Sequence, residues 1–154
     1  MMIRKANFDD IERIKELYLM LDKDAELQQP EHFICKERTK ESIEEIINGK
    51  ICDFLIIENE NKIIIGFSLV YEKETPNISL LKKQKYVYIQ DFIIDKKYRK
   101  QGFGKRLLNG SKEWGKKRGL EFLRLSVIPK NEIGIRFYRE NGMVMMMHTF
   151  ESEL

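Results

Sequence analysis

Cysteine, histidine and proline are scarce in this chain of 154 residues, which has two Cys, two His and three Pro. Cys35 and Cys52 stand in dissimilar contexts with no CxxC spacing, and His32 and His148 are the only imidazoles. A disulfide scaffold and a Cys/His zinc centre are therefore set aside, no metal is implied, and both thiols are expected reduced in a cytoplasmic compartment. Long hydrophobic runs are lacking too. The longest, Ile63 to Tyr71, is broken by Gly66 and Ser68 and falls far short of a membrane span. The N-terminal segment turns acidic at Asp9 and Asp10 before a signal-peptide core could form. The expectation is a soluble, unexported protein without a membrane partner. Nine Gly beside so few Pro leave no linker-rich or collagen-like stretch, and the length suits one domain over residues 1–154.

Hydrophobic residues make up 42% and charged residues 34% of the chain, which describes a packed core under a charged surface. The net charge of +3 is modest, but it is unevenly placed. Lys96, Lys97, Arg99, Lys100, Lys105 and Arg106 form a basic stretch with no acid among them, a local site of anion attraction.

The periodicities give an element order. Ile3 to Ala6 reads as a first strand, and Asn7 with Asp10 three residues on is a carboxylate form of the capping box. Ile11, Ile14, Leu17, Tyr18 and Leu21 then recur at helical spacing, and residues 22–37, which contain Pro30, read as a loop. Thr39 caps a second helix carrying Ile43, Ile46 and Ile47, which Asn48-Gly49 stops. Ile51 to Glu58 and Ile63 to Glu72 form a hairpin about the polar turn 59–62, residues 73–84 form a loop, and Tyr86 to Ile94 is a central strand. Gly102 to Lys117 is a third helix with Phe103, Leu107, Leu108 and Trp114 inward, and Leu120 to Ile128 a fifth strand. Asn131 caps a short helix with Ile135, Phe137 and Tyr138, closed by Gly142, and Met143 to Phe150 is the last strand. The order β-α-α-β-β-β-α-β-α-β describes an α/β domain with a mixed, mostly antiparallel sheet of six to seven strands and about four helices.

The chemistry concentrates where the central strand runs into the basic turn and two glycines open a helix, at Asp95-Lys96-Lys97-Tyr98-Arg99-Lys100-Gln101-Gly102-Phe103-Gly104-Lys105. Glycine admits a polyanion close to the backbone, the first helical turn offers unpaired N–H groups, and flanking cations add charge-assisted contacts. A diphosphate suits such a place. A Walker A loop would need Gly at position 99 and Ser or Thr at 106, and both are Arg. A dinucleotide fingerprint would need a small residue at 107, which is Leu107. Nucleic acid is also disfavoured, because its binders spread charge over a face and this charge gathers about one turn.

Arg99-x-x-Gly102-x-Gly104 resembles the acyl-CoA pyrophosphate loop of the GCN5-related N-acetyltransferases, and the resemblance continues on both sides. Tyr88-Ile89-Gln90-Asp91-Phe92-Ile93-Ile94 looks like that family's fourth strand. The segment from Asn131 through Phe137-Tyr138 to Gly142-Met143 is similar to its Asn-x-x-Ala-x-x-Phe-Tyr…Gly-Phe pattern, with Gly134 for Ala and Met143 for Phe. The resemblance implies one acyl-CoA N-acyltransferase-like domain that moves acetyl from acetyl-CoA to a primary amine of a small molecule or peptide. The attack would be direct, within a ternary complex, since neither cysteine lies in the implied site. It implies CoA contacts along Phe92, Ile93, Ile94, Arg99, Lys100, Gln101, Gly102, Phe103, Gly104, Lys105 and Asn131. It also implies that Tyr138 protonates the departing thiolate, and a homodimer is common in the family. Without the resemblance Tyr138 reads as a core aromatic. Polyamine-acetylating relatives carry a Glu base where this chain has Gln90, whose amide takes no proton; Asp91, Glu72 or a water chain are the substitutes. A CoA-binding sensor or partner-binding module on the same fold is the alternative reading.

Overall fold

The computed structural model describes residues 2–154. Asn7 and Asp10 cap as their spacing predicts: Asn7 Oδ1 accepts from the Asp9 N–H at 2.9 Å, and Asp10 Oδ2 accepts from the Asn7 N–H at 2.8 Å. This closes a short 3-10 turn that leads into α1 (Ile11–Gln28). The remaining helices are α2 (Lys40–Ile47), α3 (Phe103–Lys117) and α4 (Glu132–Glu140). The strands are β1 (Met2–Lys5), β2 (Cys52–Glu58), β3 (Ile64–Glu74), β4 (Lys85–Ile94) and β5 (Phe122–Arg124). They lie in chain order across one sheet, the first four antiparallel and β5 parallel to β4.

Successive strand residues face opposite sides of a sheet, and here both sides are covered. Phe54, Ile56, Phe67, Leu69 and Ile93 pack with Ile11, Ile14, Leu17 and Tyr18 of α1 and Ile43 of α2. On the other side Leu55, Ile57, Ile65, Val87, Ile89 and Ile94 pack with Leu107, Leu108 and Trp114 of α3. Each such large side chain, fully buried, contributes about 1.5–3 kcal/mol, so the two cores dominate stability.

A bulge in β4 decides what its C-terminal half presents. Val70 stands opposite Ile89 but Leu69 opposite Asp91, so Gln90 is the extra residue. Before the bulge, odd-numbered residues of β4 face α3; after it, Ile93 packs against the α1 side, and Phe92 and Ile94 against the α3 side. The one-residue insertion therefore turns Asp91 toward α1 and Phe92 toward α4.

Four expectations need correction. The sheet has five strands among the described residues, not six to seven. The fifth strand covers only Phe122–Arg124 of the expected 120–128, because β5 pairs with β4 solely at Tyr86–Tyr88. Met143 to Phe150 joins no ladder; its residues from Val144 onward are exposed, and a strand without an edge to pair with has no hydrogen-bonding partner for its backbone. Conversely, the presumed loop beginning at residue 22 continues α1 to Gln28, tethered by Arg38 to Asp22 and by Lys96 to Asp24.

Candidate functional site

The site is assembled where β4 ends. Past Tyr88 no strand among the described residues accompanies β4 on the side away from β3, so that edge of the backbone is open. The side chains of Ile93 and Ile94 are spent in the two cores, which leaves their backbone as what they can offer a ligand. The Ile94 carbonyl accepts from Arg99 Nε at 2.8 Å, so Arg99 folds back over the strand end.

Asp95 organises the turn that follows. Its carboxylate accepts from the Lys97 N–H at 3.0 Å and from Arg13 Nη2 at 2.6 Å. Burial pushes this carboxyl up, but the Arg13 and Lys97 hydrogen bonds more than offset that and hold it below the usual carboxylate range. The chain then visits the left-handed region twice, at Lys100 (φ 61°) and Gly102 (φ 86°). Gly102 is the residue before α3, and a Cβ added there would touch nothing within 4 Å. The surface over Gly102 is therefore open, and its glycine answers the backbone angle. At Gly104 the reason differs: a Cβ would lie 3.2 Å from the Phe137 ring, so glycine there lets α3 close on α4. The first-turn N–H groups of α3 have no partner within the helix and meet the positive end of its dipole. Gln101, Phe103 and Tyr98 line a shallow groove of about 230 Å3 with the hairpin turn at 59–61.

The third part comes from α4. Asn131 Oδ1 accepts from the Gly134 N–H at 3.0 Å, capping the helix as its position predicts. A Cβ at Gly134 would sit 2.6 Å from the Asn131 amide nitrogen, so the glycine makes room for this cap. The helix brings Phe137 and Tyr138 over Phe92, with ring centroids 5.9 and 6.2 Å away and 5.2 Å from each other. Burial pushes the Tyr138 phenol up to about 12, so it is protonated across the ordinary pH range. Its hydroxyl makes no hydrogen bond among the described residues. A groove of about 440 Å3 on the outer side of α4, against Met145, holds none of the predicted site residues.

Asp91 and Gln90 are separated by the bulge. Gln90 is exposed, whereas Asp91 points at α1 and accepts from the Tyr18 hydroxyl at 2.8 Å. Burial raises the Asp91 carboxyl; the Tyr18 hydrogen bond and the charge of Arg38 pull it only part of the way back. Tyr18, Asp22 and Arg38 were missed as site neighbours by the sequence. The signal was there in Tyr18, since a tyrosine on the inward face of a helix needs a partner for its hydroxyl. Glu72, the other carboxylate considered, is tied to Arg118 Nε at 3.0 Å and is not brought to this place. The structure thus gathers the β4 end, the glycine turn and the α4 aromatics on one side of β4, with Asp91 on the other.

A family model described as the acetyltransferase (GNAT) family matches residues 13–143. No curated protein matches the chain. Among solved structures, the tetramutant of the BH1408 protein from Bacillus halodurans superposes with a TM-score of 0.94 at 24% identity, covering 100% of both chains. A transcriptional regulator from Bacillus halodurans C-125 superposes at 0.77 with 17% identity over 99% of each chain. The aminoglycoside N-acetyltransferase AAC(6')-Iy in complex with CoA does so at 0.75 with 17% identity, over 99% of this chain and 98% of that one. At such identities the likeness is one of fold.

Proposed function

The chain belongs to the GNAT acetyltransferase family, and from that premise we propose that it transfers acetyl from acetyl-CoA to a primary amine of a small molecule or peptide by direct attack. The observation that carries this reading is the continuity of the open β4 edge beyond Tyr88 with the left-handed Gly102 and the start of α3. An extended arm hydrogen-bonding to that edge would bring its diphosphate to the first-turn N–H groups, Lys100 and Lys105. Among the described residues Lys97, Lys100 and Lys105 make no ion pair. Bound acetyl-CoA supplies the acetyl thioester.

The chain's own residues then have distinct tasks. A backbone N–H between Phe92 and Ile94 stabilises charge developing on the carbonyl oxygen. Asp91, held high by burial, takes the amine's proton through water, and Tyr138 returns one to the departing sulfur. Gln90 serves only as a hydrogen-bonding group at the bulge. A homodimer belongs to the same proposal, supported by Val144, Met146, Met147 and Phe150, which lie exposed along an unpaired extended segment; the molar mass in solution tests it. A cytoplasmic site of action is likewise proposed; no helix among the described residues is long and apolar enough to cross a membrane.

Calorimetric titration with acetyl-CoA, with ATP and NAD as controls, tests the cofactor reading. Selective binding of acetyl-CoA is expected, and Gly102→Glu, which meets open space but places a carboxylate in the turn, should weaken it by more than about 10²-fold. Unchanged affinity in the folded variant, or equal binding of the controls, would remove the assignment. A sensor without turnover would bind acetyl-CoA equally well yet release no thiol with any amine offered; its supporting observation is Gln90 at the bulge.

A further inference from the structure

We infer that Tyr18 of α1 is a positioning residue for Asp91: its hydroxyl fixes the carboxylate and sets the pH above which that carboxylate can accept the proton of the amine acceptor. The inference rests on the reading of Asp91 as the base.

Asp91 is held differently from the carboxylates that a cation fixes. Asp10 is held by two guanidinium nitrogens of Arg4 and by the Asn7 N–H. Asp95 is held by Arg13 and the Lys97 N–H, and Asp53 by the Trp114 indole and the Lys5 ammonium. Asp91 receives one neutral donor, the Tyr18 hydroxyl on Oδ2 at 2.8 Å, and no other hydrogen bond among the described residues. Oδ1 is therefore left for water or an acceptor.

Tyr18 is well suited to hold that single bond still. It is 4% exposed, its ring meets Phe67 at 4.9 Å and Phe54 edge-on at 6.1 Å, and the Arg38 guanidinium lies over it at 4.5 Å. The bulge at Gln90 completes the arrangement: had residue 90 kept the strand's alternation, Asp91 would face α3 like Ile89 instead of α1. The charged and titratable groups around Asp91 are Tyr18 and Asp22 on α1, Arg38 ahead of α2, and Tyr71 on β3. Arg38 is shared with Asp22, 3.1 Å away, so the tyrosine hydroxyl is the one group committed to Asp91. That hydrogen bond favours the ionised carboxylate, and removing it must raise the proton affinity.

The test is a titration of the Asp91 carboxyl carbon by NMR in protein labelled with 13C-aspartate, the signal being assigned by its loss in Asp91→Asn. Tyr18→Phe keeps the ring contacts and deletes only the hydroxyl. The expected result is a midpoint at higher pH than in the native chain. With benzylamine as the acceptor probe, kcat/KM on the acid side of the profile should fall about tenfold, with the KM for acetyl-CoA unchanged. An unmoved Asp91 midpoint in folded Tyr18→Phe overturns the inference and leaves the base reading intact. A moved midpoint in an enzyme whose Asp91→Asn variant keeps the native rate overturns the base reading, and the inference with it.

Discussion

Two aromatic triads flank β4, built alike and finished differently. Tyr18, Phe54 and Phe67 pack with ring centroids 4.9 to 6.1 Å apart on the α1 side, and Phe92, Phe137 and Tyr138 with centroids 5.2 to 6.2 Å apart on the α4 side. Each contains one tyrosine whose phenol burial pushes up. In the first triad every ring is buried and the hydroxyl is bonded; in the second every ring is half-buried and the hydroxyl is not. Coverage makes the difference. Helices α1 and α2 close over the first, whereas the second lies where β5 has already parted from β4. The same chemistry thus supports stability on one face, and on the other it leaves a phenol with no hydrogen bond among the described residues.

Matched truncations should break that comparison most sharply. Phe67→Ala is expected to cost about 3–5 kcal/mol, the range for a fully buried ring, and half-buried Phe137→Ala about 1–2 kcal/mol. Chemical denaturation measures both, and equal losses would mean that the second triad is as closed as the first. Tyr138→Phe comes next: turnover should drop by about 10²-fold, with melting temperature and acetyl-CoA affinity nearly unchanged. Unaltered turnover would make Tyr138 a packing residue like its neighbours.

The smallest effects are those of pH, and they carry opposite signs. The folded chain holds Asp10 and Asp95 low, so they stabilise it above the ordinary carboxylate range, and that contribution is lost as pH falls through their depressed values. Melting temperature should therefore decline on acidification below about pH 4. Asp91 is held high, which disfavours its charged form in the fold, so at neutral pH it costs stability. Asp91→Asn should then melt a few degrees higher at neutral pH while losing activity. A lower melting temperature for that variant would show the carboxylate to be structural.

Much of this was legible in the sequence where the determinant is local. The Asn7–Asp10 box, the Asn131 cap, the hairpin turn and the helix start at Gly102 each depend on residues a few positions apart. The family pattern joined the glycine turn to Tyr138, and the structure sets Gly104 against Phe137 on one side of β4. What escaped depends on distant partners. The end of α1 lacks a hydrophobic period and is held by Arg38 and Lys96, which no window around residues 22–28 contains. Met143 to Phe150 has strand character, yet a strand exists only where an edge receives it. The bulge at Gln90 leaves no mark in composition, although it decides which face Asp91 serves.

The carboxylate of Asp24 at the end of α1 has a consequence for ion exchange. It lies 3.2 Å from Lys96 Nζ and 3.9 Å from Arg99 Nη2, so these two cations of the basic stretch share a tethered counterion. An arriving polyanion must displace that internal anion as well as the mobile salt around the turn. The dependence of affinity on ionic strength should therefore be shallower than it would be with Lys96 and Arg99 unpaired, and Asp24→Asn should make it steeper while tightening binding at low salt. The end of the first helix thus tunes how the turn responds to the ions of its surroundings.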